Sequence, residues 1–231
     1  MKHIGILGCT YPATAHFFKL IAEVAAPFCN NFANPPVSVF IDDFSRYFNS
    51  SELERDIKWS ELLLAGANKL IAAGTEFIVC PANSVHRHLR IIARKIAVPY
   101  IDITDPVVTN LREFNISTVG LLGTTLTIKN KIYDNALQNA NIQCILPSSA
   151  KQSSLDNIIQ TDFIFGKFQK SGKEIVINCA EELISSGAQA IILGCTELPI
   201  SLEGTTLSVP FVDSNLLLAQ SAVNYSLSVL S

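Results

Sequence analysis

Charge is scarce in this chain: Asp, Glu, Lys and Arg make up 16% of its 231 residues, and the net charge is −3. Basic residues never gather beyond "ARK" (Ala93 to Lys95), which argues against nucleic acid as a partner. No apolar run reaches about 18 residues, so no membrane-spanning helix is expected. CxxC pairs are missing, and with them the spacing of a metal site; the six cysteines, Cys9, Cys29, Cys80, Cys144, Cys179 and Cys195, lie scattered. Neither GxGxxG nor GxxxxGK occurs, so nothing points to a nucleotide. No cofactor and no metal are expected. The opening "MKHIGILG" enters a strand without the long apolar region of an export signal. The expectation is a cytoplasmic protein whose thiols stay reduced.

What is present is an apolar chain, 48% hydrophobic, that repeats itself. "IGILGCT" (Ile4 to Thr10) matches "VGLLGTT" (Val119 to Thr125) at an offset of 115 residues. "GTEFIVCPANS" (Gly74 to Ser84) matches "GAQAIILGCTE" (Gly187 to Glu197) at 113, and "VPYID" (Val98 to Asp102) matches "VPFVD" (Val209 to Asp213) at 111. Helical patterns lie between. "SSELERDIKWSELLLAGANKLIAAG" begins with Ser51 and Glu54 in capping-box spacing and stops at Gly74; "SGKEIVINCAEELISSG" has the same form and stops at Gly187. "LPSSAKQSSLDN" (Leu146 to Asn157) reads as a flexible crossing.

Strand, loop, helix and strand again is the grammar of a parallel sheet covered on both faces. The fold class is α/β: two similar lobes, each a mainly parallel sheet flanked by helices, related by a pseudo-two-fold with the site between them. The first lobe takes residues 1–104 and 207–231, the C-terminal segment packing back onto it; the second takes 105–206. In open α/β sheets ligands gather at the carboxyl ends of the strands. The loops there are "GCTYP" and "PANSVH" in the first half, "GTTLT" and "GCTELP" in the second. All are small, polar and short of charge. The 113-residue offset sets Ala82 opposite Cys195.

The order of "GILG", "PANSVH", "LLGTTLT" and above all "ILGCTELP" resembles the aspartate/glutamate racemase superfamily, which inverts amino acids without pyridoxal phosphate. Its other signature is Pro-Cys-Asn-Thr, and here Pro81-Ala82-Asn83-Ser84 stands in that place. The chemistry accounts for two thiols. An α-proton beside a carboxylate is weakly acidic, and inversion needs a base on one face and an acid on the other. Loop amides can lower a thiol's pKa and hold the developing charge.

The resemblance implies Cys195 as acid/base, favouring L-substrates, with Ala82 as the vacant partner position. It implies substrate binding by Thr10, Asn83, Ser84, Thr124, Thr127, Thr196 and Glu197. Arg46 and Lys167 are weaker candidates for a second carboxylate. The plainer readings are helix capping for Asn83, Ser84 and the loop threonines, a first-turn carboxylate for Glu197, and solvated charge for Arg46 and Lys167. His86 falls where the family has a histidine, with a helix-end structural role the plainer reading, and an i,i+2 pair with His88 shares no helix face. Cys80 reads as buried behind position 82, and Cys9 as a loop-packing residue near enough to take part.

The implied partner is a small amino acid or dicarboxylate, and the implied assembly a homodimer. Four accounts of Ala82 stay open: an engineered Cys→Ala change, a racemase with another group on the vacant face, a one-thiol enzyme like the arylmalonate decarboxylases, or a catalytically silent binder.

Overall fold

The structure, a computed structural model, describes residues 1–29, 33–43, 45 and 52–228. Ser51, the proposed helix cap, and Arg46 lie outside them. The chain divides into two compact units, Met1–Ile103 with Leu218–Ser231, and Thr104–Leu217.

The first unit holds a parallel four-stranded sheet of β1 (Ile4–Gly8), β2 (Val37–Ile41), β3 (Phe77–Val79) and β4 (Tyr100–Ile101), in the order β2-β1-β3-β4. The second holds β5 (Thr118–Gly123), β6 (Gln143–Ile145), β7 (Ala190–Gly194) and β8 (Phe211–Asp213), in the order β6-β5-β7-β8. Both sheets are flanked by helices. The central strands β1, β3 and β7 are buried throughout, as continuous apolar runs covered on both faces must be.

The repeats are the same strands of the two sheets in the same register. Ile4 lies beside Phe77 as Val119 lies beside Ala190, and Ile78 beside Tyr100 as Ile191 beside Phe211. The helix ends repeat too. Helix α1 is Tyr11–Ala25 and α2 is Glu52–Ala72. Gly74, after α2, has φ +87°, and the Thr75 and Gly74 amides return to the Leu70 and Ile71 carbonyls. Gly187 has φ +97°, with the Ala188 and Gly187 amides on Leu183 and Ile184. This is the Schellman stop, in which glycine takes the left-handed position without a Cβ penalty.

Helix α2 buries Trp59, Leu62, Leu63, Ala67 and Leu70, one face of a 3.6-residue period. In the first unit α3 (His86–Ile92) follows β3. The second unit adds α4 (Thr104–Glu113), α5 (Thr125–Lys129), α6 (Asp134–Asn139), α7 (Ser149–Thr161), α8 (Lys170–Ser185) and α9 (Leu198–Ser201). The last helix, α10 (Ser214–Leu227), contains the division between the units.

Three expectations change here. Residues 207–217, grouped by sequence with the first lobe, stand in the second unit, because β8 hydrogen-bonds to β7. The chain from Leu218 belongs to the first: Tyr225 meets Phe77 edge-on at 4.8 Å, and Ser226 Oγ donates to the Lys2 carbonyl at 2.6 Å. The "LPSSAKQSSLDN" crossing is largely helix α7, since Leu155 and Ile159 bury themselves against Phe163, Val176 and Leu183. Helix α8 starts at Lys170, so Ser171 lies inside its first turn rather than at its cap. Among the described residues, no helix is long and apolar enough to cross a membrane.

Candidate active site

In the first unit, β1 and β3 run out side by side into the two repeated loops. Ile6 lies beside Val79, and continuing that register by three residues brings Cys9 beside Ala82. Both are half-buried. Thr10 is the N-cap residue of α1, and its carbonyl accepts from the Thr14 hydroxyl at 2.6 Å. Gly8 is needed there: a Cβ on it would stand 2.3 Å from Thr14 Oγ1. Ala82 is the N-cap residue of a short 3-10 turn, Asn83–Val85, and α3 has no side-chain cap. Asn83 and Ser84 therefore form the turn itself, ahead of α3. Asn83 is buried and Ser84 half-buried.

Beneath this turn lies a buried polar chain that sequence reasoning only touched. The Cys9 thiol donates to the Cys80 sulfur, which also receives the Ala82 amide and feels the charge of His86. The Cys9 hydrogen bond is the largest of these influences. Together they hold the Cys80 thiol below its ordinary range, against burial, which pushes it up. Nε2 of His86 donates to the Cys80 carbonyl at 3.0 Å, while Nδ1 faces the Ile103 amide at 3.3 Å and Asp102 Oδ1 at 3.6 Å. Burial pulls the His86 pKa down, but the Asp102 carboxylate outweighs it and the net direction is up. Arg90 grips Asp102 with two hydrogen bonds, 2.6 and 2.9 Å long. Asp102 pays the cost of burial, yet His86 and Arg90 hold its carboxyl well below the usual range. His88 points elsewhere, to Ser60, Asp56 and the Trp59 ring.

The second unit carries the thiol of "GCTE". Gly123 lies beside Gly194, so the next residues in register are Thr124 and Cys195. The glycines permit this approach, since a Cβ on Gly123 would meet the Gly194 carbonyl at 3.0 Å. Thr124 caps α5, its hydroxyl accepting from the Thr127 amide at 3.2 Å; buried Thr127 reaches on to the Gly194 carbonyl at 3.4 Å. Thr124 is thus the cap, and Thr127 supplies the amide it satisfies while its own hydroxyl donates to the end of β7. Cys195, Thr196 and Glu197 are all buried. The Cys195 thiol donates to Glu197 Oε2 at 3.1 Å, and the Thr196 hydroxyl to the same oxygen at 2.7 Å. Burial, then the charge and hydrogen bond of Glu197, raise the Cys195 pKa well above the thiol range, although the Thr196 and Glu197 amides pull the other way. The loop amides that sequence reasoning expected to create a thiolate are outweighed: Cys195 rests as a thiol.

Lys167 is exposed, its ammonium 6.0 Å from the Phe165 ring centre, and it joins neither loop's hydrogen bonds. A hollow of about 480 Å³ in this unit, beside Glu181, Ser185 and Thr206, touches none of the repeated loops. Among the described residues, no cluster of three or more His, Cys, Asp or Glu could hold a metal ion. Sequence reasoning missed Asp102 and Asn215. The "VPYID"/"VPFVD" repeat was the signal for the first, whose counterpart Asp213 caps α10 through the Asn215 and Leu216 amides. Asn215 is fully buried with both side-chain amide atoms unpartnered.

Comparison with known proteins gives a family and a fold. A family profile described as Asp/Glu/Hydantoin racemase matches residues 6–222. The broad specificity amino-acid racemase RacX of Bacillus subtilis (strain 168) is 28% identical over 162 residues, covering 70% of each chain. The crystal structure of an aspartate racemase homologue from Pyrococcus horikoshii OT3 superposes with a TM-score of 0.81 at 28% identity, over 98% of this chain and 99% of that one. Glutamate racemase from Francisella tularensis, solved with D-glutamate, gives 0.73 at 20% identity, over 99% and 81%, a likeness of fold.

Proposed function

This chain belongs to the Asp/Glu/hydantoin racemase family, and from that premise we propose that it is a cofactor-independent amino-acid racemase of the aspartate/glutamate type. Its chemistry is proton transfer at the substrate α-carbon. The observation that carries the reading is the buried Cys195 thiol, 3.1 Å from the Glu197 carboxylate on the "GCTE" loop.

Cys195 in its resting form is an acid. It gives its proton to the α-carbon of a carbanionic substrate, and it becomes a base by passing that proton to Glu197. A buried carboxylate beside a buried thiol makes that exchange short and direct. Thr10, Asn83, Ser84, Thr124 and Thr196 are the proposed contacts to the substrate carboxylate and to the enediolate charge that forms as the α-proton leaves. Position 82, without a thiol, supplies no proton.

Proton NMR in D2O with L- and D-aspartate and L- and D-glutamate tests the reading. α-Deuteration that disappears in Cys195→Ala supports it; no exchange with any of the four rejects it. Ala82 favours one second reading. A single protonated thiol suffices to protonate the carbanion left by a decarboxylating malonate, and release of carbon dioxide from arylmalonates would establish that activity.

A further inference from the structure

We propose that Cys9, backed by Cys80, is the proton-transfer residue of the first unit and does the work for which position 82 has no sulfur. The inference rests on the racemase reading above and gives it a second base.

Three observations carry it. The first is register: β1 and β3 pair as far as Ile6 beside Val79, and continuing that register sets Cys9 next to Ala82. The equivalent place in the second unit, beside Cys195, belongs to Thr124. A side chain at residue 9 thus reaches the ground next to a catalytic position. The second is access. Cys9 is half-buried, whereas Cys80 is 1% exposed and closed off beneath the turn. Of the two sulfurs, Cys9 is the one that can meet a substrate.

The third is the charge arrangement around the pair. The Cys80 sulfur receives the Cys9 S–H and the Ala82 N–H. Among the described residues, His86 is the titratable side chain beside the pair that acts on Cys80, and Asp102 and Arg90 act on His86 in turn. Both hydrogen bonds favour negative charge on Cys80, against the burial that opposes it.

The proton balance closes without an oxidant. In the base form the proton sits on Cys9, and Cys80 is the thiolate. The Cys9 proton moves to Cys80 as the substrate Cα–H bond breaks. The α-proton then bonds to Cys9, and the carbon's electron pair passes into the enediolate. Cys195 gives its own proton to the other face of the carbon. The pair ends as two thiols, Cys195 as a thiolate, and reversal runs the opposite inversion. Cys9 is the catalytic residue and Cys80 a positioning residue that stores its proton.

The test uses the full chain with the same four amino acids in D2O, and iodoacetamide with peptide mass spectrometry. Cys9→Ala is expected to slow inversion about a hundredfold or more, and Cys9→Ala with Ala82→Cys to recover it, which separates chemistry from misfolding. Cys80→Ala is expected to slow Cys9 alkylation at neutral pH and to move the inversion profile to higher pH. Inversion unchanged in Cys9→Ala, or Cys9 alkylation indifferent to Cys80→Ala, overturns the inference and leaves the Cys195 reading standing. Absence of exchange from the unaltered protein overturns both.

Discussion

Replacing Glu197 by Gln removes a buried negative charge 3.1 Å from the Cys195 sulfur. Burial, the larger cause of the raised pKa, remains. Alkylation of Cys195 in Glu197→Gln should therefore begin at lower pH than in the unaltered protein without reaching an exposed thiol's profile, as peptide mass spectrometry would show. Asp102 works in the opposite sense on its neighbour. Its own pKa is lowered and that of His86 raised. The aspartate's contribution to stability is present above its unfolded value of about 4 and lost as pH falls through the folded one. The histidine's is complete below about 6.5 and lost as pH rises through its folded value. Asp102→Asn should accordingly cost most between about pH 4 and 6.5, on the order of 3 kcal/mol, read as the difference in urea midpoints across pH. None of these protonation states is legible in sequence. "GCTE" places a thiol and a carboxylate two residues apart, but only burial and the direction of the Glu197 side chain make Cys195 an acid.

At the scale of elements, close approach of backbone decides what the loops tolerate. A methyl group on Gly8 would press on Thr14 Oγ1 at 2.3 Å and Ile41 Cγ1 at 2.9 Å, and the Thr14 hydroxyl is tied to the Thr10 carbonyl. Gly8→Ala should lower stability by about 1–3 kcal/mol, measured by urea unfolding. The central strands and the two long helices were readable because apolar runs and a 3.6-residue period are direct marks of burial. The matched "GCT"/"GTT" and "PANS"/"GCTE" loops were readable because their strands repeat in register. Helix α7 was not, since its serines speak for a loop, and only the packing of Leu155 and Ile159 on α8 speaks for a helix. The place of β8 was hidden for a similar reason: "VPYID" and "VPFVD" look alike, and pairing with β7 rather than likeness assigns the strand.

For the whole molecule, the buried thiols pull the two units in opposite directions as pH rises. Burial raises Cys179 and Cys195 in the second unit. Their stabilisation is complete below the unfolded thiol value of about 8.5 and declines above it, because the unfolded chain loses those protons first. Cys80 in the first unit is lowered, so its contribution is full above about 8.5 and lost as pH falls through the folded value. Hydrogen exchange corrected for its intrinsic pH dependence should show β5 and β7 losing protection between about pH 8 and 10 while β1 and β3 keep theirs. The shared register has a consequence of its own. A chain whose halves agree strand for strand holds two interchangeable sockets for every loop, and a segment moved from one half to the other enters in frame. One copy is then free to drift, and a residue of either loop can change without an insertion or deletion anywhere else in the gene.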